Sequence, residues 1–301
     1  MGKKPALHPE QGVAKVLRQV AFDILGEVRA SLNHPSKTDA AIIHDYRKEQ
    51  KRWRALLRLL GPALGEEGRQ LRIEARDLAR ELAGPRDAQS ALDALEDVME
   101  EKDAHDVLSP RSVRTLTERL EKSKTSMEVA KLTAKRRERL IGALDRAEKS
   151  VALWPIDEMS FRDVADRMTA AYRRARKMQP GDWATATPEA FHELRQSVVI
   201  HRYQMELVEP LWPRLGRTWI EEAQRLRNRL GQYQDLTMLT ALTEPHQILA
   251  PWRSRLLPLI AQRQADHVET AERISARLFA EPPKAFRKRM EALWNASGGD
   301  T

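Results

Sequence analysis

One segment of this chain is written twice. HDYRKEQKRWR begins at His44 and HELRQSVVIHR at His192, and residues 44–87 align with 192–235 without a gap. Moving 148 positions along the chain carries Arg47 onto Arg195, Arg54 onto Arg202, Pro62 onto Pro210, Arg69 onto Arg217 and Glu74 onto Glu222. The same step carries Ala75, Leu78, Leu82 and Asp87 onto Ala223, Leu226, Leu230 and Asp235. A shared spacing of His, Arg, Pro and Asp over that length points to two similar halves, expected at 11–150 and 151–295 and related by a pseudo-twofold. Residues 1–10 and 296–301 read as flexible termini.

The halves read as helical. No alternating Val/Ile/Thr/Tyr run is bounded by a hairpin turn, whereas 3.6-residue periodicity recurs throughout, punctuated by Gly and Pro. Helices are expected near 11–32, 38–60, 66–83, 86–103, 110–150, 158–178, 188–211, 214–230, 233–243, 251–280 and 284–295. The fold class is therefore all-α, in two similar antiparallel helical halves; copies of the motif that face each other would line a shared basic groove or pore. Few aromatics (5%) and many charged residues (32%) suit long amphipathic helices, and 41% hydrophobic residues can fill a core.

The motif helix carries two arcs. At 100° per residue, Tyr46, Gln50, Trp53, Leu57 and Leu60 share one side, and His44, Arg47, Lys51, Arg54 and Arg58 share another. Like charges at this spacing cost about 0.2–0.5 kcal/mol per pair, so a stripe of them suggests a facing anion. Arg52 neighbours the stripe, and the next helix adds Arg72 and Arg76 between Arg69 and Arg80. The second copy offers His192, Arg195 and Arg202 but has Val199 for Lys51 and Glu206 for Arg58; the preceding helix adds Arg173, Arg176 and Lys177 beside Arg174. A guanidinium fork binds phosphate oxygens bidentately and keeps its charge. With net charge +8 and pI near 9.7, a polyanionic partner is expected.

Other chemistries find little support. There is no cysteine, hence no disulfide or thiolate metal site. No HxxxH or HExxH pair occurs, and His192 and His201, nine residues apart, fall on opposite sides of a helix. No P-loop, strand-borne GxGxxG or GxSxG elbow is found, so no catalytic residue, metal or cofactor is expected. Asp87 and Asp235 read as first-turn carboxylates after a helix stop. No run approaches the ~18 apolar residues of a membrane span, and the N-terminus lacks a signal-peptide core, so a cytoplasmic location is expected.

Laid out this way, the chain resembles the CHAD domains, a histidine-named α-helical family with signatures like H-x₂-R-V-x₂-R-R-L-R and H-x₂-R-K-x₂-K-R-L-R-Y. The counterparts run from His44 to Arg54 and from His192 to Tyr203, with Gln196, Val199 and Ile200 departing from usually basic positions. The resemblance implies two helical bundles about a basic cavity, binding of inorganic polyphosphate, and for some members association with polyphosphate or polyhydroxyalkanoate granules. It marks the chain as a stand-alone, non-enzymatic member. Nucleic acid, held by its phosphates, is the runner-up partner; a granule adaptor and a hidden phosphohydrolase are the alternative functions. Oligomeric state is not legible.

Overall fold

A computed structural model describes residues 6–82, 86–126 and 132–298, with side chains omitted at 86–88 and 124–126. The described residues are helical throughout, without a strand: α1 (Val13–Leu32), α2 (Asp39–Glu81), α3 (Arg86–Met99), α4 (Ala104–Val107), α5 (Pro110–Ser126), α6 (Ala134–Ala152), α7 (Phe161–Lys177), α8 (Pro188–Val208), α9 (Pro213–Ala241), α10 (Arg253–Leu278) and α11 (Pro283–Ala296). Short 3₁₀ turns precede α9 and α10.

The helix starts follow capping chemistry. Thr38, Thr133 and Thr187 each accept a hydrogen bond from the N–H three residues on, and Ser160 forms a reciprocal capping box with Asp163. Pro188 and Pro213 occupy first-turn positions, where a missing N–H costs nothing.

Three expected boundaries differ. The helices expected at 38–60 and 66–83 form one element, α2, bent after Pro62 at Gly65, whose φ of 54° and ψ of −131° suit only glycine. Gly231 was expected to stop a helix, yet α9 passes through it. A Cβ there would be in ordinary contact, 3.4 Å from Arg195 Nε, so Gly231 is an interior helix position beneath the Arg195 side chain and not a terminus. Asp235 consequently lies inside α9 and not in a first turn; the side chain of Asp87 lies outside the described residues. The expected helix 110–150 divides into α5 and α6, the latter restarted by the Thr133 cap, with 127–131 outside the described residues.

Two hydrophobic cores result, and each draws helices from both sides of residue 150. The larger joins α1, α2 and α6 to α7, α8, α11 and parts of α9 and α10. Trp53 stacks on Trp154 with ring centres 5.8 Å apart, and Tyr172 on Phe286 at 4.5 Å. The smaller is built from Ala, Leu, Val and Ile of α3–α5 and the facing ends of α9 and α10. Of the ten residues expected to fray at the N-terminus, Ala6 and Leu7 are buried, and Leu7 N–H donates to Leu207 C=O at 2.7 Å. The two motif helices, α2 and α8, pack directly on one another.

A candidate anion-binding groove

Packing α2 against α7 and α8 gathers arginines that make no ion pair among the described residues. Arg54 and Arg72 on α2 and Arg174 on α7 lie close enough to Arg58 to act on its charge, and Arg80 adds to the field at Arg54. Burial lowers the Arg58 guanidinium from its ordinary value, followed by repulsion from Arg174, Arg72 and Arg54. Every charge acting on Arg58 is thus another arginine. Burial and then Arg80 lower Arg54 in the same direction; its Nε finds only the Gln50 C=O one turn back, at 3.3 Å. Arg72 Nε is buried with no hydrogen-bond partner. Among the described residues none of these five arginines makes an ion pair within 4.0 Å, although Arg80 lies near enough to Asp77 to lower its carboxyl, so the positive charge is concentrated on this side.

Arg58 and Arg174 form one wall of a groove of about 610 Å³, and His192, Gln196 and Ile200 of α8 with Gln234 and Thr237 of α9 form the other. That volume suits a ligand-sized group. Gln234 Nε2 donates to His192 Nδ1 at 2.8 Å, orienting the ring. Residues from both copies of the motif therefore meet: Arg58 from the first, His192 from the second. Glu189 and Glu193 edge the same groove, so the attractive field comes from the α2–α7 side.

The remaining expected residues scatter. His44 is exposed, and Arg47 and Lys51 are half-buried on α2. Arg52 turns away: its side chain is 10% exposed, Nη1 meets Glu49 at 2.7 Å, and Nε lies 3.9 Å from Glu206. Arg202, 14% exposed, pairs with Glu206 at 2.6 Å and lies over the Tyr203 ring at 4.0 Å. Arg76 is exposed beside Asp77, at 2.8 Å. Arg173 and Lys177 are exposed on the outside of α7, and Arg176 donates to Phe279 C=O at 3.1 Å. Arg195 lines a second groove of about 390 Å³ with Arg225, Arg227 and Arg229 of α9, folded over Gly231.

The family model for the CHAD domain matches residues 24–244, which hold both motif helices and both grooves. The chain belongs to the CHAD-domain family. Neither a curated protein nor a solved structure gives a significant match to it. The match ends in the loop before α10, so α10 and α11, which complete both cores of this CHAD protein, extend beyond it.

Sequence reasoning placed Arg174 and Arg80 in the basic rows without singling them out as site residues, and it missed the α9 arginines other than Arg217 altogether. For Arg174 the signal was present: on α7 the buried residues Met168, Tyr172 and Ala175 fix the core side, from which Arg174 could have been placed. For Arg225, Arg227 and Arg229 the false stop at Gly231 hid the groove that they share with Arg195. Among the described residues no group of three or more His, Asp or Glu could hold a metal ion, and no helix is long and apolar enough to cross a membrane.

Proposed function

We propose that this CHAD protein binds inorganic polyphosphate without turning it over, cradling the polymer in the groove between α2, α7 and α8. The observation that carries this reading is the cluster of Arg54, Arg58, Arg72 and Arg174, drawn from two helices and making no ion pair among the described residues, with Arg80 adding to the field at Arg54. Such a cluster pays for itself when phosphate oxygens supply the missing charge, releasing counterions as they do. His192 adds a ring nitrogen on the opposite wall. The groove lining contains no Phe, Tyr or Trp, which favours a phosphate chain over single-stranded nucleic acid, whose bases stack on such rings.

The pseudo-twofold belongs to the same reading. α1 packs on α2 and α6, and α7, which starts 148 residues after α1, packs on α8 and α11. The bend at Gly65 recurs at the corresponding position, Pro213, as the break between α8 and α9. On this arrangement 11–150 and 151–295 are two halves around a basic centre. Polyphosphate or polyhydroxyalkanoate granules would be the cellular target, in the cytoplasm.

The test is a titration of long-chain polyphosphate against single- and double-stranded DNA at two salt concentrations. Tighter polyphosphate binding, falling steeply with salt, is expected. Equal or tighter DNA binding at physiological salt overturns the assignment. Phosphate release from polyphosphate in the presence of Mg²⁺ or Mn²⁺ would overturn the non-enzymatic part.

A further inference from the structure

Behind the second groove lies a chain of hydrogen bonds with only one self-consistent proton arrangement. Arg229 Nη1, at the groove, is 3.1 Å from His267 Nδ1, and His267 Nε2 is 2.6 Å from Asp97 Oδ2. His267 is completely buried, and Asp97 is 8% exposed. On its other oxygen Asp97 accepts from Arg263 Nε and Nη2, at 2.9 and 2.7 Å. Arg263 also reaches Glu100 and Glu101. Burial alone would raise the Asp97 carboxyl, but hydrogen bonds from His267 and Arg263 outweigh it and hold the group below the usual carboxylate range.

Asp97 is therefore an acceptor only, and the proton between it and His267 sits on Nε2. A guanidinium can only donate, so His267 Nδ1 must present its lone pair to Arg229. The neutral Nε2–H tautomer satisfies both neighbours. A second proton on Nδ1 would set two donors against each other and release Arg229. The charged groups around the ring are Asp97, Glu100 and Glu101 from α3, Arg229 from α9 and Arg263 from α10. Both Asp97 and Arg229 lie within the family match, but His267 lies beyond it.

We propose that Arg229 is a phosphate contact in a second anion site, shared with Arg195, Arg225 and Arg227, and that His267, held by Asp97, is its positioning residue. The inference rests on the polyphosphate reading and extends the polymer's path to the far side of the α8–α9 seam. It also makes this site dependent on the protonation of a buried histidine.

The experiment measures long-chain polyphosphate affinity for wild type, Arg229→Gln, His267→Gln and the double variant at about pH 8 and about pH 5, which bracket the ordinary histidine range. Arg229→Gln should bind about tenfold more weakly at the higher pH, as expected for losing one charged hydrogen-bonding contact. His267→Gln can still donate to Asp97 but offers Arg229 no ring lone pair, so it should lose part of the same affinity. The double variant should be no weaker than Arg229→Gln, because the histidine acts only through the arginine. The wild-type advantage over Arg229→Gln should shrink towards unity at the lower pH, and groups common to both proteins cancel in this ratio. Wild-type affinity in Arg229→Gln overturns the site. A ratio that does not change with pH overturns the positioning role, and this arm stands even if His267→Gln does not fold. Wild-type protein that binds no polyphosphate overturns the functional reading above, whereas a binder indifferent to Arg229 overturns only this proposal.

Discussion

Position 58 on α2 and its counterpart 206 on α8 carry opposite charges, and the two motif helices have different uses because of it. On α2, Arg58 makes no ion pair, is repelled by Arg174, Arg72 and Arg54, and forms one wall of the larger groove. On α8, Glu206 takes Arg202 at 2.6 Å and approaches Arg52 at 3.9 Å, drawing one motif arginine from each copy into a largely buried ion-pair cluster. A second pair of counterparts diverges as sharply. Trp53 stacks on Trp154, whereas His201 sits fully buried among Tyr172, Phe279 and Phe286 and accepts a hydrogen bond from Trp219 Nε1 at 2.9 Å. At these positions the first copy leaves an arginine on a groove wall and an indole in the core, whereas the second pairs its arginine and buries a neutral imidazole.

That contrast can be broken from the structural side first. Glu206→Ala should destabilise the protein by about 3 kcal/mol, because removing one partner of a buried ion pair leaves the other uncompensated. Arg202 has little else to meet: its Nε is already buried without a hydrogen bond. Chemical denaturation would measure the loss, and a change below about 1 kcal/mol, the range of an exposed pair, would refute the structural role of the second copy.

The binding side should respond nearly as strongly but without unfolding. Arg54→Ala combined with Arg58→Ala should weaken polyphosphate binding about a hundredfold and lower the salt slope by about two contacts. Thermal stability should hold or rise slightly, since the double change relieves repulsion among arginines. A loss of helicity would instead give the first copy a structural role and erase the comparison.

Acid should find the second copy before the first. Burial, and then the charge of Arg289, push the His201 imidazole down to about 3. Its pKa is lower folded than unfolded, so the neutral ring's contribution is complete above about 6.5 and is lost as pH falls towards 3. Across that window His201 should cost stability at up to about 1.4 kcal/mol per pH unit. Melts of wild type and His201→Phe at several pH values would report it. Parallel pH profiles in the two proteins would show that the histidine does not titrate on unfolding.

How much of this was readable beforehand depends on whether the deciding neighbour lies nearby in sequence. The helical class, the two arcs of α2 and the opposed settings of His192 and His201 follow from 3.6-residue geometry and stand in the structure. Arg52 and Arg202 were legible as paired residues too, since Glu49 and Glu206 sit three and four positions away, but reading the motif as a row of cations passed over them. What the sequence could not supply is tertiary. Nothing local sets Arg174 beside Arg58, sends His192 and Arg195 to different grooves, or brings Asp97 to His267 across 170 positions.

Gly231 condenses that lesson into one atom and gives the smallest effect. Read as a helix stop, it should tolerate no helix-favouring change; as an interior helix position with an ordinary φ, it should accept alanine, which is intrinsically better there by about 1 kcal/mol. The added methyl would sit in ordinary van der Waals contact with Arg195 Nε at 3.4 Å and Nη2 at 3.5 Å, so the side chain need not move. Gly231→Ala should therefore leave stability within about 1 kcal/mol of wild type, on the stable side, and leave polyphosphate affinity unchanged. A melt or titration showing a loss of more than about 1 kcal/mol, or a weaker affinity, would mean that the seat of Arg195 needs a glycine beneath it and that the second motif is packed more tightly than these distances allow.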